Sequence, residues 1–186
     1  MARTGAAAQG RVIIAYQGVP GAFGHQAARH AFPDGEVVAC ASFGDVVLAV
    51  SDRGADAGVL PVENHYAGAV PDVAELIANG GVEVERLFDL PIRLHLLGLP
   101  GTRLDQLTYV TSHPMALLQC RQSLAQMKLV EVEAANTAMA ARALSDPSWA
   151  VLASDTAAEL YDLVVLRADM QDDPDNRTTF AVIRRR

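Results

Sequence analysis

A polar, turn-forming stretch near the end of the chain, Gln171-Asp172-Asp173-Pro174-Asp175-Asn176-Arg177-Thr178-Thr179-Phe180, runs straight into the apolar Ala181-Val182-Ile183. Pro174 and Asp175-Asn176 favour turns, and Thr178, Thr179 and Phe180 favour strand, so hydroxyls are displayed where loop becomes strand. A terminus this specific in composition indicates a chain that returns to complete something built earlier. A second polar set, Val62-Glu63-Asn64-His65-Tyr66-Ala67-Gly68, follows the apolar run Ala57 to Pro61, and open α/β sheets place ligands at that end of a strand. Four positions read as helix starts: after Gly21, near Asn64–Gly68, after Ser112-His113 and after Asn136-Thr137. Several positive helix ends facing one cleft suit a small, multiply anionic ligand without a metal. Other chemistries fit poorly. No Gly-x-Ser-x-Gly elbow exists, the single lysine, Lys128, sits at a helix–strand junction unsuited to a Schiff base, and His25 and His30 are five apart, off one helical face. His65 and His113 stand at strand-to-helix turns, whereas His30 and His95 read as ordinary surface or hydrogen-bonded residues.

The elements that must position these residues alternate strand and helix. At 186 residues, half of them hydrophobic and a fifth charged, the chain suits one domain or two small lobes. A net charge of -7 argues against a nucleic-acid surface, and no apolar run is long enough to span a membrane. Cys40 and Cys120 lie far apart with no CxxC, which points to a reducing cytoplasm and away from structural zinc. Residues 1–10 read as a flexible leader. Strands are expected at Arg11–Tyr16, Val37–Ala41, Ala57–Pro61, within 82–99 with a break at Pro91, and at Leu107–Thr111, Leu129–Ala134 and Trp149–Ala153, while Leu163–Leu166 leads out of the second half. Helices are expected at His25–Ala31, Phe43–Arg53, Pro71–Asn79, Met115–Met127, Ala138–Leu144 and Thr156–Tyr161. This is α/β packing in two halves. The chain passes between them near 86–93 and 167–177, giving a double hinge with a cleft. One lobe comprises 11–85 plus 168–186, the other 86–167.

Four ordered segments resemble the catalytic domain of prephenate dehydratases and plant-type arogenate dehydratases: Tyr16-Gln17-Gly18-Val19-Pro20-Gly21-Ala22-Phe23, Leu60-Pro61-Val62-Glu63-Asn64, Ser112 to Cys120, and Gln171 to Phe180. Ala157-Ala158-Glu159-Leu160-Tyr161 fits the same family, and the likeness covers about residues 11–183. The resemblance implies a two-lobed, periplasmic-binding-protein-like (type II) α/β fold with the active site in the interlobe cleft. It also implies cofactor-free conversion of prephenate to phenylpyruvate by loss of CO2 and the ring hydroxyl, and a homodimer. By that resemblance Thr178 is the general acid, Asn64 donates to substrate, and Thr137 and the backbone after Gly21 hold carboxylates. Ala22, Phe23, Glu63, His65, His113, Asn136, Arg177, Thr179 and Phe180 complete the expected substrate-binding set, with His113 shaping its turn. No metal ligand is expected. The family's ACT regulatory domain is not expected either, because the chain stops soon after Ile183.

The chain departs from the family pattern at Gly24-His25 in the first loop, at His65 after the Glu-Asn pair, at Asn136 beside Thr137, and at Thr179, where the family carries arginine. Loss of a guanidinium from a dicarboxylate site removes a bidentate contact, and Arg177 is expected on the opposite strand face, while a protonated His65 could supply charge. Two other readings follow from these changes: a non-aromatising prephenate decarboxylase, and a non-catalytic protein that closes on a small anion.

Overall fold

The computed structural model describes residues 11–186, and the leader expected at 1–10 lies outside the described residues. In chain order the strands are β1 Ile13–Gln17, β2 Glu36–Cys40, β3 Ala57–Asn64, β4 Gly68–Ala69, β5 Val82–Pro91, β6 His95–Gly98, β7 Tyr109–Ser112, β8 Val130–Glu133, β9 Trp149–Ala153, β10 Val164–Arg167 and β11 Arg177–Arg185. The helices are α1 Phe23–Ala31, α2 Phe43–Ser51, α3 Val73–Asn79, α4 Pro114–Gln119, α5 Arg121–Ala125, α6 Thr137–Ala143 and α7 Asp155–Leu160. Their starts follow from local chemistry. Ser42 and Asp45 form a reciprocal capping box on α2, His113 and Pro114 open α4, and Asn136 and Ser154 cap α6 and α7.

Two sheets result. The first runs β2-β1-β3-β11-β5, with β4 folded back on β3, and the second runs β10-β6-β9-β7-β8. The returning β11 lies antiparallel between β3 and β5, so the last strand completes a sheet begun by the first. Along β11 alternate side chains serve opposite cores: Phe180 and Val182 pack with α1 residues Ala27 and Ala28, while Ala181 and Ile183 pack with Val46, Val47 and Val50 of α2. Gly58 sits under that second core. A Cβ there would lie 2.8 Å from Val46 Cγ1 and 2.9 Å from Ile183 Cγ1. Gly58→Ala is therefore expected to destabilise the fold by about 1–3 kcal/mol through overpacking, measurable by urea denaturation. The second sheet has its own cores on its two faces, and Phe23 packs against both a first-sheet and a second-sheet core.

Three expectations change. The first passage between lobes narrows from 86–93 to residues 92–94, because β5 stays paired with β11 as far as Pro91. The helix expected over Met115–Met127 is two short helices meeting at Cys120, whose φ of -113° is off-helical; Asp172 caps the second through Gln122 N at 2.9 Å and Ser123 N at 3.2 Å. Finally, Asn64–Gly68 is no helix start. It is the turn of the β3–β4 hairpin, in which Asn64 Oδ1 accepts from Tyr66 N and Ala67 N.

Candidate active site

A cleft of about 310 Å³ opens between the sheets, lined by α1, β3, β11, the 92–94 passage and the starts of α4 and α6. A volume of this order is at the small end for ligand sites. Its wall is mostly apolar (Val59, Pro61, Ile92, Leu94, Met115, Phe180), and among the described residues His113 is the one titratable side chain that lines it.

A β-bulge decides which polar residues enter. Thr179 pairs with Glu63 but Phe180 pairs with Pro61, so Val62 is an extra residue in β3. That single insertion reverses the side-chain alternation: Val59 and Pro61 face the cleft before it and Asn64 faces the cleft after it, while Glu63 turns away. Asn64 thereby meets Thr178, its partner across the ladder. Its Nδ2 donates to Thr178 Oγ1 at 2.9 Å and reaches Asn176 Oδ1 at 3.4 Å. Thr178 is 8 % exposed and its oxygen accepts from Asn64, which leaves the hydroxyl proton to be donated to whatever occupies the cleft. The amide N–H also stabilises negative charge developing on Oγ1.

The helix starts reduce to two with free N–H groups. In α4, Met115 N donates to His113 Nδ1, and Ala116 N and Leu117 N donate to His113 O. In α6, Asn136 Oδ1 takes Ala138 N and Met139 N, leaving Thr137 N without an intrahelical partner. Ala22 makes no side-chain cap on α1, so the amides of Phe23 and Gly24 remain available at the cleft wall. Gly24 lets α1 approach β1 closely, since a Cβ there would lie 2.7 Å from Gln17 O.

Of the expected set, the structure brings Ala22, Phe23, Asn64, His113, Asn136, Thr137, Thr178 and Phe180 to one cleft. It does not bring Gly21, Glu63, His65, Arg177 or Thr179. Gly21 N already donates to His25 Nδ1 at 3.2 Å. His65 lies 3.6 Å from Asp173 at the surface. Arg177 and Thr179 share the strand face opposite Thr178, where Thr179 Oγ1 donates to Asp89 at 2.6 Å and Arg177 Nε lies 3.5 Å from the same carboxylate. An arginine at 179 would point at Asp89, away from the cleft, so the missing guanidinium is no missing wall contact. Asn64 lines the cleft with its Nδ2 donating to Thr178 and its Oδ1 accepting from the hairpin-turn amides of Tyr66 and Ala67. Gln119 was missed. It is 7 % exposed, lines the cleft and makes no side-chain hydrogen bond among the described residues. Its signal was a polar residue three after Ala116 on a helix that is otherwise apolar on that side.

His25 carries a consequence for pH. Burial, with Arg29 beside it, holds its pKa below the ordinary 6.5, and its neutral Nδ1 accepts from Gly21 N. The unfolded chain thus binds a proton at a pH where the folded protein does not. This stabilising contribution is complete above about 6.5 and is lost as pH falls through the lower, folded-state value. His25→Asn keeps an acceptor without titrating, and is expected to flatten the fall in Tm between neutral and acid pH; an unchanged slope would refute the assignment.

The sequence model described as prephenate dehydratase matches residues 14–186. The chain belongs to the prephenate dehydratase family. It is 35% identical over 178 residues to arogenate dehydratase/prephenate dehydratase 1, chloroplastic, of Arabidopsis thaliana, covering 94% of this chain and 45% of the relative. It therefore spans about half the length of the curated relatives it matches. Among solved structures it resembles GqqA, described as a novel type of quorum quenching acylase (34% identity, TM-score 0.87, covering 94% of this chain and 64% of that one). It also resembles prephenate dehydratase of Arthrobacter aurescens in complex with L-Phe (27%, TM-score 0.86, covering 94% and 61%). The methionine-binding protein MetQ shares the two-lobed architecture at 13% identity and TM-score 0.51, with 94% of this family member and 83% of MetQ covered.

Proposed function

We propose that this protein converts prephenate to phenylpyruvate, CO2 and water, with Thr178 as general acid. The observation that carries the reading is the buried Thr178 hydroxyl on the cleft wall, its oxygen held by Asn64 and its proton free. The Thr178 proton passes to the C4 hydroxyl, which leaves as water. The ring carboxylate departs as CO2, and the electron pair of its broken C–C bond completes the aromatic ring. Asn64 N–H bears on the charge left on Oγ1 until solvent returns a proton, so the reaction consumes one proton overall. A threonine is a feeble acid in water; here position and partial exclusion of water compensate, and aromatisation supplies the driving force. The free amides of Phe23, Gly24 and Thr137 hold the carboxylates. Among the described residues no carboxylate side chain lines the cleft, which favours the keto acid over arogenate, whose ammonium would find no counter-charge.

The likeness to the quorum-quenching acylase adds a second activity to the assay. Acyl transfer by Thr178 would need a base to take its proton, yet its partner at 2.9 Å is an amide that donates, and this supports the dehydratase reading. The deciding experiment incubates purified protein with prephenate at neutral pH and reads product by ultraviolet spectrum and mass. Phenylpyruvate supports the proposal. A decarboxylated, non-aromatic product, or binding without turnover, overturns it in favour of one of the two rivals. We extend the reading to the cytoplasm, supported by the free thiols of Cys40 and Cys120, and to a homodimer, supported by family resemblance and checked by light scattering.

A further inference from the structure

The loop from Gly18 to Ala22 belongs to the first lobe by chain, yet it is tied to the second. Ser154 Oγ donates to Gly21 O at 2.8 Å in a buried setting while accepting from Ala157 N. The Tyr161 hydroxyl donates to Pro20 O at 2.6 Å, and Gln26 Nε2, one turn into α1, donates to Asp155 at 3.2 Å. Packing closes the same joint: Gly21, at φ 86°, lies so near α7 that a Cβ on it would sit 3.2 Å from Ala157 Cα, Ala157 Cβ and Tyr161 Cε2.

The lobes are covalently joined only at residues 92–94 and 168–176, and a two-lobed body can open about such passages. Bonds of this length break on any such opening. We propose that this loop and α7 form a latch that holds the lobes together in the ligand-binding arrangement, and that its release lets them part. The latch also carries chemistry. Ala22, Phe23 and Gly24, which follow directly, line the cleft, so a latched loop holds the free amides of α1 against the second lobe. This gives a common purpose to two segments far apart in the chain, Val19–Gly21 and Ser154–Tyr161, which do not line the cleft.

The test places spin labels at Leu48 and Leu118, exposed positions on different lobes, with Cys40→Ser to remove the half-buried thiol and the fully buried Cys120 left in place. The otherwise wild-type protein is expected to show one narrow interlobe distance with or without prephenate. The Ser154→Ala, Tyr161→Phe double variant is expected to add a longer-distance population that prephenate draws back to the short one. Its KM should rise about tenfold with kcat nearly unchanged, the signature of a binding-competent state reduced to about a tenth of the molecules. Tyr161→Phe alone, which removes one hydroxyl, should shift the distribution the same way if the double variant does not fold. Distance distributions that are the same in the otherwise wild-type protein and in both variants overturn the proposal. The distance readout is independent of turnover, so a protein inactive on prephenate would refute the dehydratase reading and leave the latch to be decided on distances alone.

Discussion

Thr178→Ala is expected to slow phenylpyruvate formation by about 10²- to 10⁴-fold, the usual contribution of a positioned general acid, while leaving KM for prephenate within a few-fold of wild type. The split follows from where the hydroxyl acts. In the proposed reaction the carboxylates are held by backbone amides on α1 and α6, which the substitution does not touch, whereas the proton to the leaving hydroxyl comes from Thr178. The fold should survive, because the substitution keeps the backbone ladder of β11 with β3 and β5, and frees Asn64 Nδ2 to remain with Asn176 and the Arg177 carbonyl. Thr178→Ser restores the hydroxyl and should recover part of the rate. Continuous ultraviolet assay of both variants, beside urea denaturation to establish folding, checks the claim. An alanine variant with wild-type kcat would remove Thr178 from the chemistry.

Much of the architecture was legible because it rests on local patterns. Buried runs such as Ala57–Pro61 and Trp149–Ala153 became strands, and the Ser154-Asp155, His113-Pro114 and Asn136-Thr137 starts became caps. The ambiguous places were those where tertiary contacts outvote local pattern. Met115–Met127 has a continuous apolar stripe, and nothing within it announces a break at Cys120; Asp172, fifty residues on, supplies the cap that makes two helices from one. Pro91 correctly marked an end, but only pairing with β11 could tell that residues 86–91 remain in the first sheet.

The site divides along the same line. Residue types pointed to Thr178, Asn64 and the helix starts, but orientation was invisible. Glu63 and Asn64 are adjacent, and the sequence offers no sign that an extra residue at Val62 selects one over the other. Strand alternation did anticipate that Arg177 would oppose Thr178. Applied to Thr179, the same rule would have shown that the departure from arginine lies outside the cleft. What remains at the wall is a largely apolar site with no lysine or arginine side chain among the described residues, which fits the proposal that helix amides meet the anion.

The bulge makes Asn64 the second place where a large effect is expected. Asn64→Leu preserves volume, removes the donor to Thr178 Oγ1, and removes the acceptor that fixes Tyr66 N and Ala67 N in the hairpin turn. With its oxygen unheld, the Thr178 hydroxyl is free to rotate toward the Arg177 carbonyl or solvent, and charge building on Oγ1 loses its stabilising N–H. Loss of positioning on this scale costs about 10²-fold in kcat. The two orphaned turn amides are largely exposed and can take water, so the stability loss should stay near about 1–2 kcal/mol. Asn64→Asp separates the two roles. Its carboxylate keeps the turn acceptor but offers no N–H to Thr178 and opposes negative charge on Oγ1, so stability should remain close to wild type while kcat falls at least as far as in the leucine variant. Steady-state kinetics and denaturation on both variants read the two roles separately. A fully active Asn64→Asp enzyme would show that the 2.9 Å bond to Thr178 is structural and that the proton reaches the leaving hydroxyl from elsewhere on the cleft wall.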